Sequence, residues 1–255
     1  MTRKTDPSDP LDAFGHIVIV GAMEEEVHPL RRRLEQPRQR TFGDQTAVSG
    51  RLGNQPVLVV ATGDGAGAAR RGLSAVFESL DVSALVIVGV AGGVSPDLEV
   101  GRLVVGRSVG SESGRFTKMD PNLLARAERV ESVRLGDVLS VGQIAVSRDD
   151  KLRLWEESNR RPLLVVDLES STFAELAAEH HVPCLVARVV SDGHDEDLPL
   201  DFNQFRTADG GVDRSKVMRQ AICHPSLMPK LLKLRDRVRS GAADLCRFVE
   251  EVLAQ

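Results

Sequence analysis

The stretch VVDLESSTFAELAAEHHVPCLVARVVSD, residues 165–192, places an amphipathic segment between two apolar runs. The second run, ending at Ser191 and Asp192, is almost continuously apolar, as in strands that are buried on both faces of a sheet. The segment between the runs, residues 170–181, has its apolar residues at helical spacing. The stretch therefore predicts a strand, a helix and a second strand, the repeating unit of α/β sheets.

The same alternation extends along the rest of the chain. Further apolar runs predict strands, amphipathic stretches predict helices, and Gly53-Asn54 predicts a hairpin; the strands include 16–22, 84–93 and 138–147, and the last helical region runs from about 225 to 253. We therefore expect an α/β fold with three layers, α/β/α, around a central mixed, mainly parallel sheet. One domain is expected over residues 15–255. Residues 1–14, rich in Pro, Asp and Ser, are expected to be a disordered tail.

Bulk composition excludes several functional classes. The 255 residues carry a formal charge of -4, which argues against a general nucleic-acid partner. No apolar run is long enough for a membrane span, and the N-terminus lacks the apolar core of a secretion signal. The three cysteines, Cys184, Cys223 and Cys246, are widely spaced, which favours reduced thiols and a cytoplasmic location.

Three acidic residues stand at the ends of strands that are too apolar for a surface position: Asp167, Glu169 and Asp192. An unpaired buried carboxylate costs several kcal/mol. Each acid could be satisfied by a helix N-terminus or by an arginine such as Arg188. Alternatively, it could be held at a raised pKa to donate a proton to a ligand. In open α/β sheets ligands bind at the carboxyl ends of strands, so these residues are candidates for a site.

Other polar clusters are less specific. Glu24, Glu25 and Glu26 follow the first strand and suit a helix N-terminus, although one of them could act as a general base. The glycine-rich turn at 62–72 fits neither a dinucleotide fingerprint nor a P-loop. The acids and histidine at 192–197 are more typical of a solvated turn than of a metal site. We expect no metal and no cofactor.

Four segments together resemble the purine and uridine nucleoside phosphorylase superfamily, and most closely its methylthioadenosine/S-adenosylhomocysteine nucleosidase branch. They are IVIVGAMEEEV (17–27), VIVGVAGGVSPDLEVGRLVV (86–105) and the two parts of the stretch at 165–192. The resemblance covers residues 16–205. A second resemblance, carried by 110–127, 191–199 and 222–245, is to the hopanoid-associated members, which are thought to remove adenine from adenosylhopane.

The resemblance implies a role for each matched position. Asp192 would be the general acid that protonates the purine N7, and Glu26 would orient or deprotonate the attacking water. The ribose would be bound by Glu169, with the backbone of Leu168 close by. Four further positions would complete the substrate site: Ala91 and Gly92 in the pocket wall, and Arg188 and Ser191 beside the acid. Phe202 would close over the 5′ substituent.

The chain also departs from the nucleosidase pattern. Val90 stands where the nucleosidases have a serine, which alters the placement of water. Ala145 aligns with their base-stacking phenylalanine, so stacking would pass to another side chain such as Phe173. The loop after the third strand is shorter, which changes the contacts on which nucleosidase dimers depend.

We expect hydrolytic cleavage of the N-glycosidic bond of a purine nucleoside, with adenine as the base and a 5′ substituent allowed. Phosphorolysis is the alternative, with inorganic phosphate as co-substrate, since Arg70 and Arg71 could build a phosphate site. The acidic turn at 24–26 favours water. A third alternative is a nucleoside-binding module without turnover. The expected partner is a small-molecule nucleoside, and the superfamily resemblance implies a homo-oligomer.

Overall fold

The computed structural model describes residues 15–207 and 211–255. The predicted tail at 1–14 lies outside the described residues. The described chain contains ten strands: β1 (His16–Gly21), β2 (Glu35–Phe42), β3 (Gln45–Leu52), β4 (Gln55–Ala61), β5 (Val82–Gly93), β6 (Leu103–Ser111), β7 (Phe116–Lys118), β8 (Val133–Ser140), β9 (Leu164–Asp167) and β10 (Cys184–Asp192). It contains seven α-helices: α1 (Glu24–Arg33), α2 (Ala66–Ser79), α3 (Pro121–Ala127), α4 (Arg148–Glu157), α5 (Ser170–Glu179), α6 (Arg214–Cys223) and α7 (Met228–Leu253).

All ten strands join one mixed sheet in the order β10-β6-β8-β9-β5-β1-β4-β3-β2, with β7 attached to β6. Strand β10 also pairs with β5, so that β5, β10, β6, β8 and β9 close into a ring. The pairings among β4, β1, β5 and β10 are parallel. Antiparallel pairings join β2, β3 and β4 at one edge and β5 to β9 in the ring, so the sheet is more evenly mixed than expected.

Two apolar cores cover the two faces of the sheet. Val18 and Val20 of β1 pack with residues of α2 and α5, including Leu73 and Phe173. Ile19, which points to the opposite face, packs with residues of α1 and α7. The predicted three-layer α/β/α fold with a mixed central sheet is therefore confirmed.

Several element boundaries differ from the sequence-based expectation. The strand expected at 138–147 ends at Ser140, and α4 begins at Arg148. A reciprocal cap starts this helix: Ser147 Oγ accepts from the backbone N–H of Asp150, and the Asp150 carboxylate accepts from the backbone N–H of Ser147. Strand β2 was also missed, because its residues are almost all exposed and carry no apolar pattern.

The register of the sheet brings the site residues together. Gly92 of β5 is paired with Val166 of β9 on one side and with Asp192 of β10 on the other. A Cβ at Gly92 would lie 3.3 Å from Asp192 Oδ2, so the glycine lets the carboxylate approach the strand closely. The ends of β9 and β10 consequently face a common space beside β5.

Candidate active site

A cavity of about 380 Å³ lies at the carboxyl ends of the strands, and the three predicted acids line it together. Glu26 comes from the first turn of α1, which follows β1, Glu169 from the N-terminus of α5, which follows β9, and Asp192 from the end of β10. All three residues are more than nine-tenths buried. Of the other predicted positions, the cavity is also lined by Ala91, Gly92, Leu168, Ser191 and Phe202.

Asp192 is held by two side chains, and one of them is a lysine. Its Oδ1 accepts a 2.6 Å hydrogen bond from Ser191 Oγ, and its Oδ2 lies 2.6 Å from the ammonium of Lys151. Lys151 is fully buried and also donates to the carbonyls of Gly193 and Glu196, at 2.7 and 2.8 Å. The ammonium group thus has an acceptor for each of its three protons. Asp192 is also one of the residues that line the cavity.

Lys151 was missed by sequence reasoning because the helix that carries it, α4, was not predicted. The signal was present in SRDD, residues 147–150, where a serine is followed three residues later by an acid. Even with the helix, the sequence offers no reason to pair Lys151 with a strand end 41 positions later. A lysine in an exposed-looking helix is ordinarily read as a surface residue.

Glu169 occupies the N-terminus of α5 and accepts a 2.6 Å hydrogen bond from the backbone N–H of Gly65. Burial and the neighbouring Asp167 raise its pKa to about 8, against an ordinary value of 4.5. At pH 7 its neutral form predominates, and a neutral carboxyl group both donates and accepts hydrogen bonds. The glycine turn at 62–72, which had no assigned role, therefore positions a residue of the site.

Glu26 is held by backbone amides only. Its Oε2 accepts from the N–H groups of Ala22 and Met23, and its Oε1 accepts from that of Val90 at 2.9 Å. Burial nevertheless raises the pKa of Glu26, with the positive charge of Arg188 opposing the rise. A fixed carboxylate with a raised pKa is a stronger base at neutral pH than an exposed one.

Arg188 does not hold Asp192, which corrects the expectation that it positions the acid. Its Nε donates to Asp167 at 2.8 Å and its Nη2 donates to Ser170 Oγ at 2.8 Å, and it is fully buried. Arg188 lies four positions before Asp192 on β10, and its side chain reaches Asp167 at the end of β9 instead. Asp167 also accepts from Ser140 Oγ, and neither member of this buried ion pair lines the cavity.

Neither Ala145 nor Phe173, the two residues considered for stacking on the base, lies in the cavity wall. Ala145 is buried and does not line the cavity, and Phe173 is fully buried in the core between α5 and the sheet, so it is not the substitute that we expected. The cavity wall is formed instead by the adjacent Ile144. Asn203 fixes its backbone through two hydrogen bonds of 2.9 Å, one to the N–H and one to the carbonyl.

The remaining wall of the cavity is apolar and comes from the C-terminal helices. Val217 of α6 and Leu231, Leu234 and Val238 of α7 line it opposite the three acids. Val212 and Phe202 complete this side. The cavity therefore has a polar end at the sheet and an apolar end between α6 and α7.

Three arginines are among the residues that line the cavity: Arg214, Arg235 and Arg239. Arg214 pairs with Glu25 and lies 4.0 Å from Asp64. Arg70, a candidate for a phosphate site, points away and pairs with Glu175 and Glu179. Within residues 15–207 and 211–255, no group of three or more His, Cys, Asp or Glu is arranged to hold a metal ion. No helix in this part of the chain is long and apolar enough to cross a membrane.

Comparison with known proteins identifies a consistent set of relatives. Residues 16–222 match the family model of the phosphorylase superfamily. The 5′-methylthioadenosine/S-adenosylhomocysteine nucleosidase of Shewanella pealeana is 27% identical over 210 residues, which cover 74% of this chain and 91% of that protein.

Solved structures share the fold over nearly the whole chain. The 5′-methylthioadenosine/S-adenosylhomocysteine nucleosidase of Neisseria meningitidis, solved with methylthio-immucillin-A, is similar with a TM-score of 0.74 at 18% identity, covering 94% of this chain and 99% of that one. Native futalosine hydrolase of Helicobacter pylori is similar with a TM-score of 0.73 at 19% identity, covering 94% and 97%.

Proposed function

This chain belongs to the phosphorylase superfamily, and we propose that it is a nucleosidase that hydrolyses the N-glycosidic bond of an adenine nucleoside. The observation that carries the proposal is the meeting of Glu26, Glu169 and Asp192, from three strand ends, at one cavity of about 380 Å³. A cavity of this size is within the range of small-molecule sites. The name of the Shewanella pealeana relative, a nucleosidase, supports the same reaction class.

In this proposal Asp192, which is paired with Lys151 in the free protein, takes up a proton when the nucleoside binds and donates it to N7 of the base as the bond between N9 and C1′ breaks. The base then leaves as a neutral molecule rather than as an anion. The carboxylate that remains on Asp192 is stabilised by the Lys151 ammonium at 2.6 Å and by Ser191. Lys151 is therefore proposed to stabilise the Asp192 carboxylate after proton transfer, and not to contact the base itself.

Glu169 and Glu26 are proposed to act on the sugar side. The neutral carboxyl group of Glu169 both donates to and accepts from the ribose hydroxyls. Glu26 orients a water molecule and takes its proton as the oxygen bonds to C1′, giving the free sugar with its 5′ substituent retained. The raised pKa of Glu26 suits this acceptance, and its two oxygens are fixed by three backbone amides. The proton that Asp192 loses is balanced by the one that Glu26 gains.

Water is favoured over phosphate because the cavity end nearest the scissile bond is acidic. Of the arginines that line the cavity, Arg214 is partly neutralised by Glu25 and Asp64. A phosphate dianion would require an arginine-rich pocket in place of these carboxylates. Arg214, Arg235 and Arg239 nevertheless line the cavity, so phosphorolysis is kept as an outcome of the test.

The test is release of free adenine from adenosine and 5′-substituted adenosines in phosphate-free buffer. We expect turnover without phosphate, and a fall in kcat of about 10²–10⁴-fold in Asp192→Asn with little change in KM, since only the transition state uses the proton. The matched control is Asp195→Asn, which changes an exposed acid of the same turn. Turnover that requires phosphate and yields ribose-1-phosphate would establish the phosphorylase alternative. Tight binding without adenine release would establish the non-catalytic module.

The 5′ substituent is proposed to be apolar, because the cavity ends between α6 and α7 in Val217, Leu231 and Leu234. The resemblance of this part of the chain to hopanoid-associated members supports the same substrate class. A series of 5′-alkylthioadenosines tests it: each methylene buried in the cavity should raise kcat/KM about fourfold until the apolar end is filled.

A pair of adjacent variants sharpens this second test. Leu231→Ser, in the cavity wall, should flatten the dependence of kcat/KM on chain length. Leu232→Ser changes the neighbouring exposed residue and should leave it unaltered. If kcat/KM of the unmodified protein stays constant or falls along the series, the apolar substituent is refuted while the nucleosidase reaction is left intact.

The cytoplasmic location and the homo-oligomer stay predictions.

A further inference from the structure

The C-terminal third of the chain contains a strongly basic segment, residues 214–239, which we call the basic arm. It comprises α6, the 3₁₀ turn at Pro225–Leu227 and the first half of α7. It carries eight Lys and Arg residues and one Asp, a formal charge of +7, in a protein whose net charge is -4. The positive charge is therefore concentrated on one element while the remainder of the protein is acidic.

The basic arm also carries most of the exposed apolar surface. Four large hydrophobic side chains are exposed in the described part of the chain, and three of them, Met218 (57%), Ile222 (67%) and Leu232 (39%), lie in this arm. Of the ten residues of α6, only Ala221 is buried. Scattered exposed hydrophobic residues are normal on protein surfaces, but their concentration on one basic element marks an interaction surface.

The spacing in α6 makes it amphipathic. Val217, Met218, Ala221 and Ile222 follow one another at helical spacing and form one stripe, and Lys216 and Arg219 lie outside it. Val217 and Ala221 face the protein, whereas Met218 and Ile222 are left in solvent. A helix with apolar side chains beside a lysine- and arginine-rich face is the type that lies in the surface of an anionic membrane.

We propose that the basic arm docks this protein on the surface of an anionic lipid bilayer. The exposed side chains of Lys216, Arg219, Lys230 and Lys233 contact lipid phosphates, and Met218, Ile222 and Leu232 insert among the acyl chains near the headgroups. The arm also forms the apolar end of the cavity through Val217, Leu231 and Leu234, so the docked surface adjoins the opening through which an apolar ligand enters. The docking itself does not depend on the proposed reaction.

Two other occupants fit the arm less well. A single-stranded nucleic acid would match the charge, but the arm contains no Phe, Trp or Tyr on which bases could stack, and its exposed apolar side chains would stay in water. A second copy of the chain, joined by a two-fold axis through this face, would bring a segment of charge +7 against itself. The combination of cations and aliphatic side chains favours lipid.

Flotation with phosphatidylcholine vesicles, with and without phosphatidylglycerol, tests the proposal. We expect the full chain to float with the anionic vesicles and to be released from them by high salt. Neutralising Arg219, Lys230 and Lys233 together to Gln should weaken partition about fivefold for each charge near the surface. Met218→Ser with Ile222→Ser should also lower partition, although it leaves the charge unchanged.

Matched controls distinguish an effect of the basic arm from an effect of net charge or of exposed apolar surface elsewhere on the protein. Changing Arg126, Arg129 and Arg134 to Gln removes the same charge elsewhere, and Leu152→Ser removes the fourth exposed hydrophobic side chain; both should float like the unmodified protein. Adenine release from a water-soluble nucleoside without vesicles should be unchanged in all four variants, so failure to dock and failure of the proposed function are distinguishable.

Three results would overturn the proposal. The first is equal partition to neutral and anionic vesicles, or none to either. The second is loss of partition in the control variants as much as in the arm variants. The third is a change of oligomeric state in Met218→Ser with Ile222→Ser without any change in flotation, which would make the arm a contact between copies of the chain.

Discussion

Lys151 and Asp192 form a buried ion pair at the cavity, with side-chain exposures of 0% and 9%. A buried pair of this kind adds little net stability over apolar residues, but removing one partner leaves the other charge uncompensated. Lys151→Met should therefore lower the free energy of unfolding by about 3–5 kcal/mol. The double variant, Lys151→Met with Asp192→Asn, leaves neither charge unpaired. Its loss in free energy of unfolding should therefore be smaller than the sum of the two single losses, by at least about 1 kcal/mol.

Urea unfolding of the two single variants and the double variant measures this coupling. Arg153→Met is the control on the same helix, since Arg153 pairs with Asp150 in solvent and should contribute less than about 1 kcal/mol. Strict additivity of the Lys151 and Asp192 losses would show that the two side chains do not stabilise each other.

At the residue scale, sequence reasoning found the acids and missed what holds them. Glu169 and Asp192 could be recognised because an unpaired carboxyl group at the end of a buried strand is energetically costly, whereas Glu26 was singled out only by the family resemblance. The resemblance placed Arg188 beside Asp192, whereas the fold pairs it with Asp167, another of the three acids for which it was a candidate partner. Such partners depend on the register between strands and on helices whose position no local pattern specifies.

At the scale of elements, the loop at 141–147 is tied to the 3₁₀ turn Phe202–Phe205 by Asn203, whose side chain bonds both backbone groups of Ile144. This contact fixes two walls of the cavity, Ile144 and Phe202, relative to each other. Asn203→Ala should raise KM for the nucleoside about tenfold, the equivalent of one or two hydrogen bonds, with a smaller effect on kcat.

Steady-state kinetics on the proposed substrate measure this effect, and Gln204→Ala serves as the control. Gln204 is the exposed neighbour in the same turn, and its side chain bonds only Asp201. Equal effects of the two substitutions, or a loss confined to kcat, would contradict a role for Asn203 in shaping the binding site.

The elements that could be predicted were those whose buried residues form a recognisable apolar pattern in the sequence. The core strands β1, β5 and β10 are continuous apolar runs, and the hairpin of β3 and β4 was indicated by Gly53-Asn54. Strand β2 and helix α6 are nearly all exposed, so neither was distinguished from its surroundings. Their positions are decided by neighbouring elements and not by their own composition.

At the scale of the whole molecule, the site imposes a dependence of stability on pH. Glu169 has a pKa of about 8 in the folded protein and an ordinary value of 4.5, so between these values the folded state holds a proton that the unfolded state has lost. Stability must then fall as pH rises through this window, by up to about 1.4 kcal/mol per pH unit for one proton. The raised pKa of Glu26 acts in the same direction. Glu196, whose pKa is lowered to about 2 by Arg237, acts in the opposite sense and only below this window.

Free energies of unfolding measured from pH 4.5 to 9 should therefore decline across the window, and Glu169→Gln, which cannot ionise, should decline less steeply and be the more stable protein at pH 8. Glu175→Gln, an exposed change on the same helix, should keep the original slope. A Glu169→Gln profile parallel to that of the unmodified protein would mean that Glu169 ionises at its ordinary pH in the folded state. Its carboxyl group would then meet the ribose as an anion, and the donor role assigned to it in the proposed reaction would be wrong.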